Sequence, residues 1–144
     1  MKVVSRILSV ALMTTILFGA ASGQSRQRPV RVFVRDSEVK FDRVRPIRVG
    51  RRILVPMRGV FEKMGATVTY DARRRRVIAI RGNTRAVLPL NGKRATVNGE
   101  LRGLDAYPRI SRGHVVVPIR FVAETLDAGV VYSAPNSTVR IYPH

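Results

Sequence analysis

The chain has 144 residues, of which 45% are hydrophobic, and its 27 Lys and Arg side chains outnumber 9 Asp and Glu side chains, giving a formal net charge of +18. It contains no cysteine, so disulfide bonds and thiolate sites are excluded, and the fold must hold by packing and hydrogen bonds. Such a charge sets up a positive field that attracts polyanions, although an arginine-rich composition imposed by the genome or the milieu is the alternative explanation.

Residues 1–23 are predicted to be a signal peptide. Lys2 and Arg6 form a basic head, residues 7–18 are almost wholly apolar, and small residues follow. Because the apolar run is shorter than the roughly 20 residues that a spanning helix needs, cleavage is favoured over an uncleaved membrane anchor. We therefore expect a protein that is secreted, periplasmic or held in the cell envelope. Its mature part, residues 24–144, carries 25 basic and 9 acidic side chains, a net charge of +16.

A strand and its return are predicted at the start of the mature chain. Valines alternate with other residues over 30–34, which is the two-residue period of a half-buried strand. Val39 and Phe41 begin a returning strand. Charged and Pro-containing residues at 42–52 predict an irregular connection, after which a short apolar run leads to Pro56.

Two short helices are predicted, each after a Val-Pro pair. Pro56 suits the first helical turn, where its missing N–H costs nothing, and Gly65 suits a left-handed end of that helix. The second helix follows Pro118. In both helices, apolar residues at i, i+3, i+4 and i+7 predict one stripe that faces the core. The two stripes are Met57, Val60, Phe61 and Met64, and Ile119, Val122, Ala123 and Leu126.

Hairpins account for the other predicted elements. The strands are predicted at residues 67–71, 76–81, 86–90, 94–97, 100–104, 129–133 and 138–142. Asn91-Gly92 and Asn98-Gly99 are predicted to be tight hairpin turns, because both positions of Asn-Gly accept positive φ. The predicted fold class is therefore α+β, with antiparallel β-sheet hairpins packed on two short α-helices.

An internal repeat relates the two halves of the chain. The run VPMR at residues 55–58 recurs sixty-two residues later as VPIR at residues 117–120. Further matches at this offset extend over copies at about 30–81 and 85–142. A repeat of this length indicates one supersecondary unit used twice. Most of the repeated residues are apolar, which favours packing over catalysis.

The repeat is incomplete in its first copy. Shifting residues 86–90 back by the same offset reaches the polar run 24–28, so the first copy is predicted to lack one strand. No flexible linker separates the copies. We therefore expect them to pack into a single domain over residues 24–144.

Two arginine clusters on predicted loops are candidate polyanion contacts. Four consecutive arginines cap the first hairpin turn, and five more, Arg43, Arg45, Arg48, Arg51 and Arg52, lie in the 42–52 connection. A charge run is usually only solvated, but clusters this dense would neutralise several phosphates or carboxylates in salt-sensitive binding. The lack of tryptophan disfavours stacking on nucleic-acid bases, so nucleic acid is the weaker candidate partner. The candidate contacts are Arg73, Arg74, Arg75, Arg76, Arg51 and Arg52.

Arg58 and Arg120 hold equivalent positions just inside the two helices. A cation there opposes the helix dipole, so another interaction must offset its cost. Glu62 and Glu124 follow four residues later, within reach of ion pairs worth about 0.2–0.5 kcal/mol each. An arginine can also donate to carbonyl groups of the preceding loop. We interpret these four residues as structural, with ligand recognition by the arginines as the alternative.

No catalytic constellation is predicted from the sequence. His114 and His144 are the two histidines, and neither has an evident partner for a triad or for a site of several imidazole ligands. The acidic residues are scattered, and there is no Gly-rich phosphate loop. We predict that the chain is not an enzyme and has no cofactor. A surface copper contact by His114 is the alternative.

Three segments resemble the copper amine oxidase N-terminal domain family: RILVPMRGVFEKMGATVTYD, ATVNGELRGLDAYPRI and HVVVPIRFVAETLDAGVVYS. The family pattern is a strand and a Pro, then Val-Pro-x-Arg opening a helix that ends near Gly-Ala, then a strand ending in an aromatic residue. Asp127 and Gly129 depart from this pattern at the second helix end, and Ser133 replaces the acidic residue that Asp71 supplies in the first copy. The resemblance covers nearly all of residues 24–144.

The resemblance implies a five-stranded antiparallel sheet twisted about a helix, in a stalk-like domain that precedes the catalytic part of some amine oxidases. It implies no oxidase activity, because copper and the tyrosine-derived quinone belong to another domain. We predict a non-catalytic exported domain that mediates cell-envelope attachment or protein–protein contact, with an anionic envelope polymer or another envelope protein as partner. The alternatives are a secreted binder of nucleic acid or lipopolysaccharide and a copper-dependent enzyme, and a homodimer is also left open.

Overall fold

The computed structural model describes residues 28–144, which form thirteen strands and two helices. The predicted signal peptide lies outside the described residues. In chain order the elements are β1 (Arg31–Val34), β2 (Ser37–Glu38), β3 (Ile47–Val49), β4 (Arg52–Pro56), α1 (Met57–Lys63), β5 (Thr67–Asp71), β6 (Arg76–Arg81), β7 (Thr84–Pro89), β8 (Arg94–Val97), β9 (Glu100–Gly103), β10 (Arg109–Ser111), β11 (His114–Pro118), α2 (Ile119–Thr125), β12 (Ala128–Ser133) and β13 (Thr138–Pro143).

The strands form three sheets, and strands dominate over the two short helices, which agrees with the α+β class. The sheet orders are β12-β13-β1-β2, β10-β11-β4-β3 and β5-β6-β7-β8-β9. The five-stranded sheet is a continuous antiparallel meander. Each four-stranded sheet instead joins strands from both halves of the described chain. The single five-stranded sheet implied by the family resemblance is therefore one of three.

One strand pair departs from the predicted antiparallel arrangement. β1 runs parallel to β13, with Arg31 opposite Thr138 and Val34 opposite Ile141. In the five-stranded sheet, β7 lies between β6 and β8 and is antiparallel to both, so β6 and β8 are parallel to each other. β1 pairs with β13 directly. The β1–β13 pair is parallel because, unlike β6 and β8, these two strands have no antiparallel strand between them.

The predicted irregular connection at 42–52 contains a strand, β3. Ile47 and Val49 are half-buried and pack against Leu54 and Val116. Arginines flank these apolar residues, and the sequence pattern was therefore interpreted as a polar loop. The short apolar alternation is enough for a strand because β4 supplies the neighbouring ladder.

The Asn-Gly turns differ in outcome. Asn98 and Gly99 have φ of +52° and +85°, which confirms the predicted tight turn between β8 and β9. The prediction of a second such turn at Asn91-Gly92 is wrong, because neither residue has positive φ. β7 ends at Pro89, which has no N–H to continue a ladder with β8, so the connection widens.

Both helices have seven residues and bury the predicted apolar stripes. Pro56 and Pro118 are the residues that precede the first helical residue, one position earlier than the first turn predicted for Pro56. Gly65 has φ of +83°, which confirms the predicted left-handed end of α1. In α2 the side chains of Phe121 and Thr125 are also buried, so this helix is covered over a wider face.

Element bounds in the second half follow those in the first at an offset of sixty-two residues. β3, β4, α1 and β6 have the same lengths as β10, β11, α2 and β13 and lie at this offset from them. The positive φ of Gly65 recurs at Asp127. β4 and β11 pair antiparallel with Val55 opposite Val117, two residues that lie sixty-two positions apart in the sequence.

A large cluster of apolar side chains lies among the helices and sheets, and both halves contribute to it. Its fully buried members include Phe61 and Met57 from α1, Leu88 from β7 and Ile141 from β13. A smaller cluster around Leu54 is separate from it. Burial of apolar surface at about 25 cal/mol per Å² is the main force that holds such an arrangement together.

We expect Thr125→Val to raise the free energy of unfolding by about 1 kcal/mol. The Thr125 hydroxyl is buried and has no hydrogen-bond partner among the described residues. Valine has nearly the same shape and carries no polar atom, so it removes the desolvation cost without leaving a cavity. Chemical denaturation of the two proteins checks this, with Thr138→Val as a control because the Thr138 hydroxyl donates to the Asn136 carbonyl. A loss of stability in Thr125→Val would show that the hydroxyl has a partner in solution.

The β1–β2 hairpin carries a paired carboxylate that makes its stability sensitive to acid. Arg31 donates two hydrogen bonds to Glu38, at 2.9 Å and 2.8 Å, and Lys40 adds an ion pair at 3.3 Å. The hydrogen bonds from Arg31 lower the pKa of Glu38 to about 2. Because this pKa is lower in the folded than in the unfolded chain, the pair stabilises the fold above the unfolded value and loses that effect as pH falls.

We expect wild type to melt at a higher temperature than Glu38→Gln at pH 6, and the difference to vanish as the pH approaches the lowered pKa of about 2. Thermal melts over this pH range check the expectation. Glu62→Gln is a suitable control, because its carboxylate reaches Arg58 only at 3.9 Å. A Glu38→Gln difference that stays constant with pH would contradict a charge-based cause.

Candidate functional site

A cleft of about 590 Å³ lies where the β3–β4 turn, the start of α2 and strand β12 meet. We call it the arginine cleft. Its polar lining is Arg51, Arg52, Asp105, Arg120 and Tyr132, and Ile53, Pro118, Ile119 and Val130 supply apolar lining. An adjoining hollow of about 370 Å³ shares Arg51 and Tyr132 with it and adds Arg48.

The β3–β4 turn presents two arginines to solvent at the rim of the arginine cleft. Val49 pairs with Arg52, so Gly50 and Arg51 form a two-residue turn. Gly50 has φ of +59°, a conformation that glycine adopts without strain. The side chains of Arg51 and Arg52 are exposed, and neither forms an ion pair within residues 28–144.

Tyr132 positions a third guanidinium group beside the cleft. The guanidinium carbon of Arg48 lies 5.3 Å from the centre of the Tyr132 ring, and Arg48 Nη2 donates a hydrogen bond to the Tyr132 hydroxyl. Cation–π contacts of this kind contribute about 0.5–1 kcal/mol at exposed sites. The contact joins β3 to β12, strands from different halves of the chain, and reduces the freedom of the arginine.

Arg120 supplies the fourth guanidinium group, and its partner differs from the predicted one. Arg120 Nη1 lies 3.3 Å from a carboxylate oxygen of Asp105, so the predicted pairing with Glu124 is replaced by a contact to the β9–β10 connection. The cause is the position of Asp105, which faces the helix start; the equivalent residue of the first half is Arg43. The Arg120 side chain is 70% exposed, and an ion pair this exposed is worth about 0–1 kcal/mol.

A second cleft, of about 360 Å³, lies where the start of α1, strand β5 and the β10–β11 turn meet. We call it the apolar cleft. It is lined by Pro56, Met57, Arg58, Val68, Tyr70, Val77, Ile110, Gly113, His114 and Val115. Arg58 pairs with Glu62 at 3.9 Å, and both side chains are about half exposed. The predicted Arg58–Glu62 contact is therefore present, but it is long and open to solvent.

The arginine run of the β5–β6 turn is partly neutralised by one carboxylate. Asp71 accepts a hydrogen bond from the backbone N–H of Arg74 at 3.1 Å and from Arg76 Nε at 3.2 Å. These bonds, the backbone one foremost, hold the pKa of Asp71 below its usual value. Arg73 and Arg75 are exposed and form no ion pair within residues 28–144.

The structure therefore separates the six arginines that the sequence grouped as polyanion contacts. Arg51 and Arg52 line the arginine cleft, whereas the run at 73–76 lies on a turn of the five-stranded sheet. The sequence reasoning missed Tyr132 and Asp105 as members of the site. Tyr132 matches Tyr70 at the repeat offset, a signal that was interpreted as packing alone.

The arrangement of the arginine cleft suits an anion. Four guanidinium groups and one carboxylate line the arginine cleft and its adjoining hollow. Guanidinium is planar and matches the oxygens of carboxylate or phosphate in two parallel hydrogen bonds. Within residues 28–144, no group of three His, Asp or Glu side chains lies together in a way that would hold a metal ion. His114 lines the apolar cleft.

The family model for the copper amine oxidase N-terminal domain matches residues 33–141. The chain belongs to this family. No curated protein is similar enough to the chain to match it. The N-terminal domain of copper amine oxidase is a non-catalytic domain, so membership assigns no reaction to the matched residues.

The copper amine oxidase N-terminal match spans both halves and includes every residue that lines the arginine cleft. It likewise includes the whole of the apolar cleft. Among the helices of the described part of the chain, none is long and apolar enough to cross a membrane.

Proposed function

We propose that the chain is a non-catalytic attachment domain that binds an anionic polymer of the cell envelope. The observation that supports this most strongly is the arginine cleft with its adjoining hollow, which together are lined by four arginines, Arg48, Arg51, Arg52 and Arg120, and by a single carboxylate, that of Asp105. The formal net charge of +18 adds a long-range field that concentrates polyanions near the surface. Attachment needs no reaction, which suits a family whose domain is non-catalytic.

The charge arrangement also indicates how the attachment would behave. Arginines on exposed turns lose little solvation when they meet an anion, so each contact is weak and salt-sensitive. Several such contacts along one polymer chain add up, because the second contact forms at a high effective concentration. The basic head and apolar run of the first residues suit export to a compartment where such polymers occur.

We further propose that the domain is one structural unit used twice. Equal element lengths at the sixty-two-residue offset, and the facing positions of Val55 and Val117, support this. A duplicated unit brings two equivalent clefts to one molecule, and the two clefts are then free to differ in their side chains.

Retention on purified bacterial cell wall, measured against DNA of equal charge, tests the proposed attachment. At about 0.15 M salt we expect retention on the cell wall, with steep release as the salt concentration rises, because counterions compete for the same arginines. Preference for DNA at this salt concentration would favour the nucleic-acid binder instead. Salt-insensitive retention would favour a protein partner and overturn the proposal.

A further inference from the structure

We infer that anion recognition is confined to one of the two equivalent clefts: the arginine cleft binds a single oxyanion group of the polymer, a carboxylate or a phosphate, and the apolar cleft does not. This inference rests on the proposed function, since it names the place and the stoichiometry of the same binding. The arginine run at 73–76 then contributes general attraction only.

The equivalence of the two clefts is a matter of position. Arg51, Arg52 and Ile53 of the arginine cleft stand sixty-two residues before Gly113, His114 and Val115 of the apolar cleft. The helices come from the opposite halves: the arginine cleft includes the start of α2, from the second half, and the apolar cleft includes the start of α1, from the first half. Each cleft therefore combines a hairpin from one half with a helix and a strand from the other.

Some positions are shared in character between the clefts. Each has an arginine just inside a helix, Arg120 or Arg58, and a tyrosine on the facing strand, Tyr132 or Tyr70. Because each cleft contains one such arginine and one such tyrosine, these residues do not account for the difference in anion binding between the clefts. The difference must come from the residues that the hairpins supply.

The hairpin residues that line the two clefts differ in charge. Arg51 and Arg52 of the arginine cleft correspond to Gly113 and His114 of the apolar cleft, and Arg48 of the adjoining hollow corresponds to Ile110. Three guanidinium groups are thus replaced by an apolar side chain, a glycine and an imidazole. At neutral pH the apolar cleft keeps one arginine, and that arginine has Glu62 as a neighbour at 3.9 Å.

Two of the four cleft arginines are already held in place. Asp105 contacts Arg120 at 3.3 Å, and the Tyr132 ring lies under Arg48. An anion that enters meets these oriented groups and does not have to order them, which lowers the entropic cost of binding. Arg51 and Arg52 remain free to close over it. A volume of about 590 Å³ accommodates one monomer unit of a polymer, with its neighbours outside.

Titration calorimetry with two probes tests the inference, an oligo(glycerol phosphate) for phosphate and an oligogalacturonate for carboxylate. We expect each wild-type chain to bind one oxyanion group of the probe, in its arginine cleft. Arg51→Gln/Arg52→Gln should weaken binding by about tenfold or more, because two charged hydrogen bonds are lost. The control Arg73→Gln/Arg75→Gln removes the same charge elsewhere and should weaken binding by less than about threefold. The probe that binds more tightly identifies the oxyanion.

A gain-of-function variant tests the role of the hairpin residues. Ile110→Arg/His114→Arg places guanidinium groups at the positions equivalent to Arg48 and Arg52. Ile110 is exposed, His114 is half-buried, and neither belongs to the apolar clusters, so this change leaves the core intact. We expect the binding ratio to rise from one to two groups per chain, with an unchanged melting temperature. A ratio that stays at one group per chain would show that the side chains at positions 110 and 114 do not cause the difference in anion binding between the two clefts.

The outcomes separate this inference from the proposed function. If the two double arginine variants weaken binding equally, attachment is diffuse, and the inference fails while the proposed function stands. If wild type binds neither probe nor purified cell wall, both fail. If wild type binds two groups per chain, the apolar cleft is also a site, and the inference fails alone.

Discussion

Phe61→Ala is expected to lower the free energy of unfolding by about 3–5 kcal/mol. Phe61 lies on the inner face of α1, is 0% exposed, and belongs to the cluster that both halves build. Truncation removes the transfer energy of the ring and leaves a cavity that the surrounding strands cannot fully close. Domains of this size are stable by about 5–15 kcal/mol, so the loss is a large part of the total. Urea denaturation followed by circular dichroism measures it.

The matched control is Leu101→Ala. Leu101 is also apolar, but its side chain is 67% exposed on β9, and we expect a change within about 0.5 kcal/mol. A Phe61→Ala cost no greater than that of the control would mean that α1 does not pack as described.

Val117→Asp is expected to unfold the domain, or to destabilise it by more than about 4 kcal/mol. Val117 faces Val55 at the centre of the β4–β11 pair, and both are 0% exposed. A carboxylate there has no partner, and burial without one is costly enough that the group protonates or the fold opens. We expect partial recovery at mildly acidic pH, where the carboxyl group is neutral. Hydrogen exchange of the amides in β6 and β13 reports on the two halves separately.

Because β4 and β11 belong to different halves, loss of protection should occur in both halves together. Val131→Asp is the control, since Val131 is 57% exposed and faces Arg140 across the sheet. Unfolding of one half with the other still protected would show that the halves are independent bodies.

Local structure was largely predictable because short-range chemistry determines it. β6 and β8 begin and end at the predicted residues, since alternation and turn residues mark them clearly. Gly65 and Asn98-Gly99 take the predicted positive φ for the same reason. β3 was not predicted because its two apolar residues, Ile47 and Val49, alternate with Arg48 over only three positions and lie among other arginines of the connection. The parallel β1–β13 pair was missed because strand neighbours far apart in sequence depend on the whole topology.

The candidate site was predictable only in part. Arg51 and Arg52 were identified from charge density alone. Their cleft could not be predicted, because Arg48 and its partner Tyr132 are 84 residues apart and meet only through sheet packing. The predicted partner of Arg120, Glu124, is replaced by Asp105 for a related reason. A helix neighbour four residues away is visible in sequence, whereas the closer contact from Asp105 comes from a loop between sheets.

The most direct test of whether the arginine cleft is the anion-binding site is a nuclear magnetic resonance titration. It follows the arginine side-chain and backbone signals as oligo(glycerol phosphate) or oligogalacturonate is added. We expect saturable shifts that centre on Arg51, Arg52 and Arg120 and fade with added salt. Shifts that centre on His114 and Met57, or that spread evenly over every arginine, would contradict this expectation.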